Sequence, residues 1–300
     1  MRRALGGVLG PVVTPFDDRD GDVSLDAFAS NVEAHMAVGL DGIVVGGSTG
    51  EAALLDETER LALVETARPI VARDRWLVVG VGGESTRVTA RRAREAAGAG
   101  ADAVLVVSPH YYTKLMTTDA LRGHFLRVAD ASPVPVLLYN IPVYAHFALQ
   151  PDLVAELAQH GNIAGMKDSA GDLEMLRRYV TAQSPRFTVL TGHGPTFASA
   201  LECGVSGGIL TMSLFAPELT REISDAAARN DLAHARRVQD RLGPVAREIV
   251  NVMGIAAVKA ALDAIGLRGG HPRPPLVRLG DDERIRVVEM VRSIAEVSVA

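Results

Sequence analysis

Only three lysines stand in a chain otherwise rich in arginine: Lys114, Lys167 and Lys259. Lys167 closes the apolar run 162–167, where NIAGMK gives way to the turn-like DSAGD. An amine placed there, against an apolar wall that disfavours the ammonium, can attack a ketone and form a Schiff base. The iminium then draws electrons, so that a C–C bond two atoms away breaks to leave an enamine. The plainer alternative is a lysine that snorkels at a strand end or pairs with Asp168, and position alone does not separate the two. Another strand-like run ends in YNIP, 139–142. The phenol of Tyr139 could move protons between carbinolamine, substrate hydroxyl and water, or it could simply pack and hydrogen-bond. In GGSTGE, 46–51, the hydroxyls of Ser48 and Thr49 with adjacent N–H groups can hold a carboxylate. A tight strand-to-helix turn capped by either hydroxyl explains the same letters, and the loop has neither P-loop nor dinucleotide-fingerprint spacing. SPHYYTK, 108–114, sets Tyr111 beside Tyr112 in a loop, as an interface pair or as packing.

Positioning these groups requires a repeated scaffold. Strand-like runs fall at 7–13, 41–47, 76–81, 102–107, 134–140, 162–167, 187–191 and 205–211. Helical spacing lies between them, as in Leu61, Val64 and Ala67. Ser24, Asp56 (with Glu59 three residues on, a capping-box spacing) and Ser85 mark helix starts, and Gly39 and Gly98 mark stops. Eight strands alternating with helices predict an α/β fold, the (β/α)8 TIM barrel, over 1–230, rather than an open doubly wound sheet. After 230 the strand signal ends. Helices near 231–250, 254–266 and 281–297 predict a C-terminal helical extension, 231–300, packed on the barrel. In such a barrel the site lies at the C-terminal ends of the strands, where Lys167, Tyr139 and the Ser48–Thr49 loop all fall.

The 300 residues are 48% hydrophobic and 22% charged with a net charge of −5, a balance that offers no basic footprint for nucleic acid or an anionic membrane surface. The expected partner is a small molecule. No apolar stretch reaches spanning length, and MRRALGGVLGPVVTPF lacks a signal-peptide core. Cys203 stands alone, so no intrachain disulfide forms, and a buried structural thiol in a reducing cytoplasm is expected. His110, His146 and His193 lie near strand ends, although lone histidines are more often surface or satisfied residues. No HExxH or other close ligand set points to a metal. RRAREA reads as a solvated helix face, and Asp17, Asp18, Asp20 and Asp22 as a polar turn without calcium-loop spacing.

Taken in order, TPF (14–16), GSTGE (47–51), SPHYY (108–112), YNIP (139–142) and GMKDS (165–169) resemble the pyruvate-dependent class I aldolase and lyase superfamily, which includes dihydrodipicolinate synthase and N-acetylneuraminate lyase. The resemblance covers essentially the full length. It implies Lys167 as the Schiff-base residue, Tyr139 as the proton shuttle, and Ser48 with Thr49 on the pyruvyl carboxylate. Tyr111 would complete the relay of a neighbouring subunit, and Gly47, Ser169 and Ile209 would be further substrate contacts. A homotetramer built as a dimer of dimers is implied, acting on a 2-oxo acid such as pyruvate without metal or organic cofactor. Within the superfamily, the runs 82–86, 120–142 and 160–172 are most similar to 4-hydroxy-2-oxoglutarate aldolase, which cleaves its substrate to pyruvate and glyoxylate. Dihydrodipicolinate synthase and a 2-keto-3-deoxy sugar acid aldolase or dehydratase are the alternatives, and a silent 2-oxo acid-binding relative is the non-enzyme one. Two departures bear on the choice. The synthase carries an arginine two residues after the YNVP proline, but Tyr144 stands there and lacks its bidentate fork. The lyase's acidic pair after the seventh strand is replaced by His193, Gly194 and Pro195.

Overall fold

A computed structural model describes residues 4–18 and 21–296. Eight parallel strands close on themselves in chain order: β1 (Gly7–Pro11), β2 (Gly42–Val45), β3 (Trp76–Gly80), β4 (Ala103–Val107), β5 (Val136–Asn140), β6 (Ile163–Asp168), β7 (Thr188–Thr191) and β8 (Gly207–Ile209). Each lies within a residue of an expected run, usually shorter at its ends. The TIM barrel and its C-terminal helices are therefore as the sequence implies.

Strand side chains alternate between two environments, because successive Cβ atoms point to opposite faces. Leu9, Val44, Val78, Leu105, Leu137, Leu190 and Ile209 fill the lumen. Their neighbours Val8, Ile43, Val45, Leu77, Val104, Val106, Leu138, Met166 and Val189 pack outward beneath the helices. With both faces buried, the strands read as continuous apolar runs rather than alternating ones. In β6, Met166 belongs to the outer layer, so Lys167 turns inward; in β5, Leu138 is outer and Tyr139 inner. Tyr139 pairs with Lys167 in the register, and Asn140 pairs with Asp168. Alternation thus delivers amine and phenol to the barrel mouth side by side.

Helix ends follow the sequence unevenly. Asp56 and Glu59 form the reciprocal capping box, each side chain accepting from the other's backbone N–H at 2.9 Å, an arrangement worth roughly 1 kcal/mol. Ser24 and Ser85 occupy N-caps, but neither side chain makes the capping bond. Gly98 is not a stop. The helix Thr86–Gly98 runs through it, and Gly100, at φ +98°, takes the left-handed turn that glycine enters without strain. On that helix Arg91 and Arg94 are exposed as expected. Arg92 is not solvated: it forks the Glu57 carboxylate and donates to Gly82 O at 2.6 Å.

The tail forms Leu232–Ala246, a π-helical turn Arg247–Val252, Ile255–Ala264 and Asp281–Glu296; position 297 of the expected last helix lies outside the described residues. Pro244 sits inside the first of these helices and removes one ladder N–H just before the π turn. Asp17 and Asp18 form a polar turn, with Asp18 facing Arg278 at 3.4 Å; Asp20 lies outside the described residues. Cys203 is half-buried at a helix C-terminus rather than in the core. Among the described residues no helix is long and apolar enough to cross a membrane.

Candidate active site

Lys167 is buried at 6% exposure, although a lysine amine belongs in water. Its Nζ donates to Tyr139 Oη at 3.2 Å and lies 4.4 Å from the centre of the phenol ring. Both groups open into a cleft of about 280 Å³ at the C-terminal ends of the strands, with Ser48, Thr49, Ser169 and Thr211 around them. The space exists because residue 192 is glycine. A Cβ there would come within 2.5 Å of Lys167 Cε and would overlap Ser169 Oγ.

The opposite wall is the loop after β2. Gly50 N and Ala52 N bond to Gly47 O at 3.0 and 3.2 Å, and Glu51 N bonds to Ser48 O at 3.1 Å, which folds the loop tightly. Thr14 Oγ1, from the TPF motif, donates to Gly50 O at 2.7 Å and pins it to the segment that follows β1. Ser48 and Thr49 thereby line the cleft, and Thr49 Oγ1 shares a 3.0 Å bond with Thr211 Oγ1. Hydroxyls opposite a buried amine suit a small carboxylate-bearing ketone: one end is held by O–H donors and the carbonyl carbon is presented to nitrogen.

Behind the strand ends runs a second pairing. Asn140 Nδ2 donates to Asp168 Oδ1 at 2.6 Å, while Asn140 Oδ1 accepts from Leu149 N at 2.9 Å. Asp168 is 1% exposed, and burial pushes its carboxyl up to about 6, against the opposing pull of the Asn140 and Ala170 N–H groups. It does not pair with Lys167, which removes the alternative of a simple lysine–aspartate contact.

The outer end of the cleft is lined by Ile141, Val143, Tyr144, His193, Val250 and Asn251. Asn251, on the π turn, donates to His193 Nε2 at 3.2 Å, so Nδ1 carries the proton toward Thr196 Oγ1 at 2.9 Å. Burial, aided by the charge of Arg247, lowers the His193 pKa and keeps the ring neutral. Tyr144 is half exposed at the lip, its phenol pKa raised by burial and by Tyr139.

The structure thus gathers Lys167, Tyr139, Ser48, Thr49 and Ser169 into one cleft. It does not bring in three other expected residues. Gly47 is buried and contributes a carbonyl to the turn, and Ile209 lies wholly in the lumen layer below. Tyr111 is 76% exposed, stacked edge to face on Tyr112 at 4.9 Å, and does not line its own chain's cleft. His110 and His146 are exposed and also stand outside it. Sequence reasoning missed Gly192, Thr211 and Asn251. The first two directly follow or closely follow strands β7 and β8, a signal that was legible; nothing local announces the π turn. Among the described residues no group of three or more His, Cys, Asp or Glu could hold a metal ion.

Fold and cleft together define an enzyme of the aldolase type, a lyase or synthase built on a TIM barrel. The chain belongs to the dihydrodipicolinate synthetase family, which matches residues 4–294. It is 33% identical over 291 residues to a 4-hydroxy-tetrahydrodipicolinate synthase of Exiguobacterium sp., covering 97% of this chain and 98% of that one. A dihydrodipicolinate synthase from Bacillus anthracis superposes with TM-score 0.92 at 27% identity, over 98% of this chain and 99% of the other. A prophage protein of the same family from E. coli K12, solved in complex with pyruvate, superposes with TM-score 0.90 at 28% identity, over 98% and 99%.

Proposed function

We propose that this protein is a metal-independent class I enzyme that makes or breaks a C–C bond next to a pyruvyl unit through an imine on Lys167. The supporting observation is the buried Lys167 Nζ, 3.2 Å from Tyr139 Oη and across a cleft from two hydroxyls. The pyruvyl carboxylate accepts from Ser48 and Thr49, which sets C2 against Nζ. Attack gives a carbinolamine; Tyr139 donates a proton to its hydroxyl, water departs and the imine forms. Loss of a C3 proton yields the enamine, which adds to an aldehyde in synthesis. In the reverse sense the C3–C4 bond breaks, and the aldehyde leaves as the enamine forms. Ser169 contacts the bound 2-oxo acid. The exposed Tyr111 is assigned to the relay of a neighbouring subunit, in a homotetramer assembled as a dimer of dimers. Cytoplasmic residence accords with the single free cysteine.

The names of the relatives support 4-hydroxy-tetrahydrodipicolinate synthase, which joins pyruvate to an aldehyde that carries its own carboxylate. One feature favours a second reading, 4-hydroxy-2-oxoglutarate aldolase: Tyr144, not arginine, lines the cleft lip, and a phenol gives that carboxylate no fork. Borohydride added with pyruvate tests the shared chemistry. It should fix one reduced pyruvyl group on the peptide bearing Lys167, and an unlabelled protein would leave only the silent 2-oxo acid binder. Pyruvate release from 4-hydroxy-2-oxoglutarate or a 2-keto-3-deoxy sugar acid, set against pyruvate consumption with aspartate semialdehyde, then selects among the substrates.

A further inference from the structure

Lys259 is as deeply buried as any group in the protein, at 0% exposure, and the chemistry above does not use it. Its Nζ lies 2.5 Å from Glu51 Oε1, with both side chains wholly shielded, and donates to His271 O at 2.8 Å. The other Glu51 oxygen accepts from the backbone N–H of Arg273 at 2.8 Å. Arg273 in turn forks the Glu59 carboxylate at 2.8 and 2.6 Å. Both cations lie over the Phe16 ring, Lys259 Nζ at 4.4 Å and the Arg273 guanidinium at 4.2 Å from its centre. Phe16 ends the TPF motif and Glu51 ends GSTGE, so two motifs and the C-terminal tail meet at one node with the Glu51–Lys259 pair as its dry centre.

The node adjoins two segments that line the cleft. Glu51 directly follows Ser48, Thr49 and Gly50 and holds φ +57°, a left-handed conformation that a non-glycine residue keeps only when its surroundings impose it. Lys259 rides on the helix Ile255–Ala264, whose residues Ile255 and Val258 also line the cleft. A buried ion pair is weak as a source of net stability, because desolvation of both charges offsets their attraction; its value lies in geometry that neither partner alone can keep.

We infer that Glu51 and Lys259 are positioning residues for the carboxylate end of the cleft. Their ion pair fixes the Ser48–Thr49 backbone against the helix Ile255–Ala264, so affinity for the 2-oxo acid depends on charges that no substrate atom touches. The inference rests on the carboxylate role given to Ser48 and Thr49 above.

The test compares wild type with Glu51→Gln, Lys259→Met and the double variant, by borohydride trapping over a range of pyruvate concentrations and by thermal melting. Each folded variant should need about ten- to a hundredfold more pyruvate for half-maximal trapping, the scale of a small displacement at a reactive site. At saturating pyruvate the label should still reach Lys167. The double variant leaves no charge stranded, so its melting temperature should stay near wild type while its half-saturation remains raised. It decides the matter if a single variant fails to fold. A double variant that traps at the wild-type pyruvate concentration overturns the inference and leaves the imine reading standing. A wild type that never traps overturns both.

Discussion

Replacing Asp168 by asparagine should change how stability responds to pH more than stability at any one pH. The wild-type carboxyl is raised from 3.8 to about 6, mainly by burial. Below about pH 4 the group is protonated whether the chain is folded or not. Between pH 4 and 6 the folded protein holds a proton that the unfolded chain has released, so stability falls as pH rises through that window and stays lower above it. Raising the carboxyl from 3.8 to about 6 corresponds to roughly 3 kcal/mol, or about 5 °C in melting temperature for a chain of this size. The substituted amide keeps an acceptor oxygen for Asn140 Nδ2 but cannot ionise, and any cost of its extra N–H is the same at every pH. Melting temperatures of both proteins should therefore be recorded from pH 4.5 to 7.5 at one protein concentration. The variant should gain on wild type by several degrees across that range. Parallel curves would refute the reasoning, since they would mean that the native carboxyl ionises as freely as an unfolded one.

Tyr139→Phe should retain most pyruvate binding while lowering turnover by about 10²–10⁴, the usual contribution of a positioned acid–base group; near-normal turnover would remove the shuttle. Gly192→Ala should abolish trapping at Lys167 by driving a methyl group against its Cε, with far-ultraviolet circular dichroism unchanged. Undiminished labelling of that variant would show that the lysine reaches the ketone by another route.

Much of the site was legible because strand period and strand end are both sequence properties. Lys167 and Tyr139 stand at the ends of apolar runs, and the alternation that turns Met166 and Leu138 outward turns them inward. Burial depth was less legible. Ile209 follows the same alternation but lies a layer too deep to reach the cleft, and Gly98 carries no mark that distinguishes it from Gly100 two residues later. The π turn that brings Asn251 to His193 depends on how the tail meets the barrel, a tertiary matter that no local spacing records. Lys259 was visible as one of three lysines, yet its partner Glu51 lies more than two hundred residues away.

The two faces of β5 and β6 divide the work. Inward, Tyr139 and Lys167 meet at a distance suited to proton transfer; outward, Asn140 and Asp168 are bonded at 2.6 Å in the same register. A strand cannot shift one face without the other, so the outer pair also limits any slip of the amine against the phenol. That linkage accounts for an expensive arrangement: a carboxylate is kept in a dry layer at a cost of roughly 3 kcal/mol, where an apolar side chain would pack at no such cost. An apolar residue at 168 would save that free energy and lose the bond that ties β6 to Asn140. The same logic applies at Glu51 and Lys259, where desolvated charge again sits one step away from the groups that meet substrate. At Asp168 the protein gives up stability, and at Glu51–Lys259 desolvation leaves the pair with little net stability to offer; what both arrangements gain is a fixed distance at positions the substrate reaches.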